Sequence, residues 1–186
     1  MDDHKIIDLY WARSQQAITA SEEKYGSYCR TIARNILDRV EDAEECVNDT
    51  WFQAWNAMPP QRPGILSAFF GKLTRNLSLD RWRRDRAAKR GGGRTETALH
   101  ELEDCLPDLR GPEEELEARE TAGVISAFLR TLPDIDRRLF VRRYFHMEPV
   151  EELARRFSMT ESGVKTRLHR TRKKLKAELE KEGIAV

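Results

Sequence analysis

Apolar residues recur along this chain three and four positions apart, the spacing of amphipathic helices. No segment shows the strict alternation of a half-buried strand. The clearest case is the stretch 148–179. Val150, Leu153, Ala154 and Phe157 form one stripe, and Val164, Leu168 and Leu175 form a second. Between them lies Ser158-Met159-Thr160, a tight corner in which Met159 would fill the angle and Thr160 would cap the second helix. The cap is half made, because Gly163 stands where a capping box would have Glu or Gln. At ~100° per residue, Thr171 joins the apolar face, and Ser162, Thr166, His169, Arg170 and Lys173 fall opposite it. Lys165, Arg167, Arg172, Lys174 and Lys176 line the flanks. A short helix, a turn and a longer helix with small polar residues at its start and cations behind is the layout of a helix-turn-helix, whose second helix enters a DNA major groove by its N-terminus.

The same spacing predicts the other helices. Ile6, Ile7, Leu9 and Tyr10 mark a short first one. Ser14 is placed to cap a second, running to about residue 37, with Ala17, Ile18, Tyr25, Tyr28, Cys29, Ile32, Ala33 and Ile36 inward. Asp42 opens a third, in which Ala43, Cys46, Val47, Thr50, Trp51, Ala54 and Trp55 face in while Glu44, Glu45, Asn48, Asp49 and Gln53 stay outside. Pro59, Pro60, Pro63 and Gly64 end it. A fourth segment, 65–89, carries Leu66, Phe69, Phe70, Leu73, Leu77, Leu79 and Trp82, and the glycines at 91–93 stop it. The expected organisation is therefore all-α, with a first small helical domain over 1–90 and a flexible acidic linker over 91–112. In that linker Leu99, Leu102 and Leu106 form a short apolar patch, and Pro107 and Pro112 break the pattern. A second domain follows over 113–186. There Leu116, Ala122, Ile125, Phe128 and Leu129 form a stripe broken by Pro133, and Asp134 caps a helix burying Leu139, Phe140, Tyr144 and Phe145. The helix-turn-helix completes it.

Charge sharpens this picture. The net charge of the 186 residues is only +1, yet 72–94 holds nine Lys or Arg against two acids and 165–181 holds eight against two. The stretch 95–120 reverses the sign, with ten acids against two Arg. Two basic zones with an acidic connector suggest two separate contacts with a polyanion. No apolar run approaches the ~20 residues of a membrane span, and residues 1–13 lack the apolar core of a signal peptide. A cytoplasmic protein without membrane insertion is expected. Cys29 and Cys46 lie on apolar stripes and read as reduced core thiols, whereas Cys105 falls in the acidic, mobile stretch. Asp42, Glu44, Glu45 and Asp49, or His100, His146 and His169, make no recognised metal or catalytic spacing. The triple glycine is not followed by Lys-Ser/Thr, so no phosphate loop is present. No enzyme activity, metal or cofactor is expected.

Three motifs in order carry a family resemblance. Asp42-Ala43-Glu44-Glu45, then Val47, Asp49-Thr50-Trp51 and Trp55, resembles the region 2.2 helix of bacterial sigma factors of the extracytoplasmic-function group, within the sigma-70 family. Residues 68–76, Ala-Phe-Phe-Gly-Lys-Leu-Thr-Arg-Asn, followed by Leu79-Asp80-Arg81-Trp82-Arg83-Arg84, resemble regions 2.3 and 2.4 of that group. Leu132-Pro133, the 138–144 segment and the helix-turn-helix ending at Leu175 resemble region 4. The chain departs from the group at Ser158, where a turn glycine is usual, and at Thr171, where a small alanine is usual. Ser158 would have to adopt the glycine's backbone, at a cost of about 1 kcal/mol, or form a different turn.

The resemblance implies a factor that lends core RNA polymerase its promoter specificity. Ser162, Lys165, Thr166, Arg167 and Arg170 would meet the −35 duplex, with Lys173 further along facing phosphate. The 65–90 segment would read the melted −10 strand. The loop between the region 2.3 and 2.4 helices, which captures a flipped base, maps near Asn76-Leu77-Ser78, so Asn76 is the leading candidate, and Arg75, Arg81, Trp82, Arg83 and Arg84 would hold the strand. Glu45, Asn48, Asp49 and Gln53 would meet the clamp coiled coil of the polymerase's largest subunit. A weaker contact of the second domain with the polymerase flap and an inhibitory anti-sigma partner are further implications. The alternative is a helix-turn-helix regulator that binds DNA without polymerase, which would have no use for a domain like the first.

Overall fold

The computed structural model describes residues 1–88, 94–103, 105–106 and 114–184. Among them are nine α-helices, one π-helical turn and no strand, and the chain divides into two compact units, Met1–Gly91 and Gly92–Val186. The glycines at 91–93 and the prolines at 107 and 112 lie outside the described residues.

The first unit contains α1 (Asp3–Trp11), α2 (Gln16–Ile36), α3 (Val40–Ala57) and α4 (Leu66–Ala88). Its centre is Phe70, fully buried, with the rings of Trp51, Tyr25 and Phe69 at centroid distances of 5.1, 5.3 and 5.8 Å. Edge and tilted contacts of this kind add to the burial of such large side chains. One turn along α4, small polar residues replace bulk. Thr50 and Thr74, both fully buried, share a hydrogen bond of 3.0 Å and bond back to the carbonyls of Cys46 and Phe70. The phenol of Tyr28 lies so close to Gly71 that a Cβ there would sit 2.5 Å from its hydroxyl, so this glycine is required by approach rather than by backbone angle. Cys29 and Cys46 are buried free thiols, and burial pushes the Cys29 thiol up to about 11.

Several local expectations change. Ile18 is exposed, because the buried positions of α2 run through Ala17, Ala20 and Ser21 instead. Ser14 does not cap α2 with its side chain; its carbonyl accepts from Ala17 N at 3.0 Å, and Gln15 occupies the cap position. Helix α3 begins at Val40, two residues before Asp42.

The second unit contains α5 (Arg94–Glu103), α6 (Glu114–Thr131), α7 (Asp134–Phe140) with the π-helical turn Val141–Phe145, α8 (Val150–Arg156) and α9 (Glu161–Lys181). Leu139, Leu153, Val164, Leu168, Leu175 and Leu179 form its core with Phe128, Phe140 and Tyr144. Ala122 is exposed and Thr121 is buried in its stead; the side chain of Leu116 lies outside the described residues. Pro133 takes the cap position of α7, and Asp134 is its first helical residue, bonded to Arg137 at 2.7 Å.

The stretch expected to be linker holds α5, and that helix is part of the second unit. Ala98 and Cys105 are buried, and Leu102 and Leu106 pack on the second core, so Cys105 is a covered thiol and not one in a mobile segment. The reason is electrostatic as well as apolar. Glu101 accepts from Arg143 Nη2 at 2.8 Å, from the Tyr144 hydroxyl at 2.8 Å and from Arg172 Nη1 at 3.3 Å. Arg143 is itself buried and also bonds the Glu148 carbonyl at 3.3 Å. An acidic residue that looks solvated in sequence thus neutralises a cation inside the unit.

Burial by itself would raise the Glu101 carboxyl, but the hydrogen bonds and charges of Arg143, Tyr144 and Arg172 outweigh it and hold it below the ordinary carboxylate value. Its folded pKa being depressed, the stabilisation is present above the unfolded value and lost as pH falls through the folded one. Glu101→Ala should destabilise the second unit by about 3 kcal/mol, since it leaves a buried guanidinium short of its partner. All four tryptophans lie in the first unit, so the measurement is hydrogen exchange of the α9 amides. Acidification from about pH 6 to about pH 3 should weaken protection more in the wild type than in Glu101→Gln. Equal protection in all three chains would mean that the ion cluster does not hold the unit together.

Candidate nucleic-acid interface

Helix α9 presents its outward strip because its inward one is fully used. Val164, Leu168, Thr171, Leu175 and Leu179 are buried, which turns Ser162, Thr166, His169, Arg170 and Lys173 to solvent. Lys165 is also exposed and lies 3.7 Å from Glu161. Arg167 differs from the other duplex-reading candidates. It is half-buried and bonded to Asp136 of α7 at 2.8 Å, so its guanidinium is held toward α7. Arg172 is likewise turned inward, to Glu101 and the Tyr144 hydroxyl. Inward cations steady the helix, and outward ones leave a strip of small polar and basic side chains at its first turns.

The turn before α9 explains its aim. Ser158 has φ 51°, the left-handed conformation that the resemblance associates with glycine. Thr160 caps α9, accepting from Gly163 N at 3.0 Å. Met159 is half-buried against the core. Behind the turn, the carboxylate of Glu148, itself buried, takes bonds from Arg142 at 2.9 Å and Arg156 at 2.8 Å, tying α8 to the preceding π-helical turn. Arg138 lies over the Phe157 ring at 5.1 Å.

In the first unit, α4 runs unbroken through Asn76-Leu77-Ser78, where a loop between two helices was expected. The segment holds no Pro, and its only glycine, Gly71, lies before the expected break; the Thr74 hydroxyl bonds back to the carbonyl of Phe70 at 2.9 Å without interrupting the helix. Asn76 is exposed on the outer side of that helix. Arg75 is half-buried, and burial, then the nearby charge of Arg83, lowers its pKa from the ordinary arginine value. Trp82 is half-buried, whereas Arg83 and Arg84 are exposed and bond Asp80 of their own helix, at 3.2 and 3.3 Å. Arg81 instead turns to α3, bonded to Asp42 at 2.8 Å and Glu45 at 2.6 Å.

On α3, Glu45, Asn48, Asp49 and Gln53 are all exposed. The sequence reading missed their apolar neighbour. Phe52 is 66% exposed, and it stands three and four residues after Asp49 and Asn48, on the same strip. The signal is in the sequence, since Phe52 falls off the stripe of Val47, Trp51 and Ala54 and shares the strip of polar residues.

A helix-turn-helix with an exposed basic strip in one unit and an exposed basic stretch of helix in the other are the features of a DNA-binding protein. The model described as Sigma-70 region 2 matches residues 23–88, and that described as Sigma-70, region 4 matches residues 123–175. No curated protein matches the chain. The two matches together span more than half of the 186 residues, and the chain belongs to the sigma-70 family of transcription initiation factors, acting in promoter recognition. The family's domains imply promoter DNA and core RNA polymerase as partners. Helix α5 falls between the two matched regions. Among the described residues no helix is long and apolar enough to cross a membrane.

Ser158→Gly should stabilise the second unit by up to about 1 kcal/mol, because glycine takes the left-handed conformation without a Cβ penalty. The exposed serine side chain loses no packing. The change is read as a shift in α9 amide protection, and an equal or lower value would mean that the hydroxyl itself holds the turn.

Proposed function

We propose that the chain is a sigma factor of the extracytoplasmic-function group that binds core RNA polymerase and directs initiation at promoters with a −35 duplex and a melted −10 element. The reading divides the chain into a region 2-like domain over 1–90, a connector over 91–112 whose helix α5 packs on the second unit, and a region 4-like domain over 113–186. The observation that carries it is the pairing of an exposed acidic and apolar strip on α3 with outward cations on α4 and α9. A regulator working without polymerase has no use for the first.

In this reading Ser162, Lys165, Thr166 and Arg170 meet the −35 duplex at the first turns of α9, and Lys173 reaches phosphate. Arg167, held by Asp136, steadies α9 from behind. Asn76 captures the opened −10 base from the outer side of α4, with Arg75, Trp82, Arg83 and Arg84 along the strand. Glu45, Asn48, Asp49 and Gln53 meet the clamp coiled coil of the largest subunit. Phe52 is their apolar anchor, because an exposed ring amid polar groups is the composition of an interface centre. The flap makes a second contact with the region 4-like domain. An anti-sigma protein covers these surfaces when the factor is held inactive in the cytoplasm.

The test is run-off transcription with purified core polymerase and genomic promoter fragments. Specific initiation that depends on the chain is expected, and no association with core and no change of start site would overturn the proposal. Two variants locate the surfaces. Phe52→Ala should weaken core binding by about 2 kcal/mol, the scale of an interface anchor, with no change in folding. Undiminished core affinity in a titration would remove Phe52 from the contact. Arg170→Ala should weaken binding to −35 duplex by about 1–3 kcal/mol if it grips a guanine edge, and flatten the salt dependence slightly. Unchanged affinity and slope would take Arg170 off the DNA.

A further inference from the structure

The run Arg81-Trp82-Arg83-Arg84 looks like one cationic patch in sequence, but its members are not equivalent. Arg83 and Arg84 are exposed, and each bonds Asp80 of its own helix. The Arg81 guanidinium is forked between two carboxylates of α3, with Nη2 on Asp42 at 2.8 Å and Nη1 on Glu45 at 2.6 Å. Its side chain is 26% exposed and that of Asp42 13%, so this pair is partly shielded from water and is screened less than a surface pair. Asp42 and Glu45 are three residues apart at the start of α3 and therefore share a face. A planar guanidinium held at both terminal nitrogens fixes direction as well as distance.

We infer that Arg81 is a positioning residue rather than a DNA ligand: its two bonds lock the C-terminal half of α4 to the start of α3 and so set where Trp82, Arg83 and Arg84 meet the opened strand. The inference rests on the proposed −10 reading of α4. It gives the two carboxylates distinct roles. Asp42 is the covered end of the tie. Glu45, 59% exposed, bonds Arg81 from one side and remains open on the other, where the polymerase contact is proposed. The helix that meets polymerase and the helix that reads the strand are thereby joined through one carboxylate.

A ligand and a positioning residue differ in what their loss does to salt dependence. Removing a phosphate contact from single-stranded binding lowers the slope of log affinity against log salt by about 0.7, because fewer counterions are released. Removing a tie makes the binding-competent arrangement of α4 rarer but leaves the number of phosphate contacts in the bound state the same, so affinity falls and the slope does not. The experiment uses holoenzyme reconstituted from the full chain and core polymerase, with a single-stranded −10 oligonucleotide titrated at several salt concentrations. Arg84→Ala serves as the phosphate-contact control and should weaken binding with a flatter slope. Arg81→Ala should weaken it about tenfold, equivalent to about 1.4 kcal/mol, with the wild-type slope. The exchange Asp42→Arg with Arg81→Asp, which rebuilds the pair in reverse, should recover most of the loss. Arg81→Lys keeps the charge but loses the fork, and should fall between, again with the wild-type slope.

A flattened slope in Arg81→Ala and no recovery in the exchange would make Arg81 a DNA ligand and overturn the inference, while leaving the −10 reading in place. Full binding by Arg81→Ala would overturn it in the other direction, since the tie would then position nothing. Should Arg81→Ala fail to fold, as judged by its thermal transition, Arg81→Lys and the exchange decide on the same two readouts. Failure of wild-type holoenzyme to bind the strand at all would bring down the −10 reading and this inference with it.

Discussion

The crossing of α3 over α4 is the contact on which the first unit depends. At its centre Phe70 is closed in by Trp51, Tyr25 and Phe69, and one turn on, the Thr50–Thr74 hydrogen bond lets the two helices approach where larger side chains would hold them apart. Toward the end of that crossing Arg81 reaches across to Asp42 and Glu45. Each helix thus has one face consumed by the other and one left over. The face left over on α3 is acidic with a single exposed ring, and the one left over on α4 is cationic. Two surfaces of opposite character are presented by a single packing event, and neither could shift without moving the other.

The second unit solves a related problem with charge. A helix carrying as many cations as α9 cannot leave all of them on one side, because 3.6 residues per turn distribute them around the axis. Two that fall inward or on the flank are met by acids from elsewhere in the unit: Arg167 by Asp136, Arg172 by Glu101. Arg143 on the π-helical turn is treated the same way. Pairing of this sort is weak as a source of net stability but severe when one partner is removed. That asymmetry explains why α5, an acidic helix outside both matched regions, packs against this unit through Ala98, Leu102 and Glu101.

Periodicity carried most of the fold. The inward residues of α3 and the apolar stripes of α8 and α9 were readable because each helix packs on one side only, so burial follows the spacing directly. Thr160 as a cap was readable for the same reason, being a local interaction between residues three apart. The left-handed Ser158 was visible as a conflict, a residue with a Cβ where a glycine conformation is needed. What spacing could not show was pairing between elements. Glu101 and Arg143 are 42 residues apart, and Arg81 and Asp42 are 39 apart. Nothing in a charge count distinguishes an arginine waiting for phosphate from one already bonded to a carboxylate. The same blindness hid α5 within the stretch 91–112, because acids that neutralise buried cations look like acids meant for solvent. The continuity of α4 through Asn76 was lost differently, since the resemblance suggested a break that the local residues do not require.

The internal pairing also resolves the contrast between a net charge of +1 and a chain of a promoter-recognising family. Acids and bases are nearly equal in number, but they are not equally placed. Asp42, Glu101, Asp136 and Glu148 are turned toward arginines of their own unit, and the fields of those pairs largely cancel at a distance. The charges that remain to act outward include Arg83 and Arg84 on α4 and Lys165, Arg170 and Lys173 on α9, with Asp49 exposed on α3. A polyanion approaching either cationic strip meets a local potential set by those side chains within roughly a Debye length of about 8–10 Å, not by the total. The near-neutral sum therefore imposes no penalty on DNA binding: internal acids hold the inward cations in place, and that leaves the outward ones to be read.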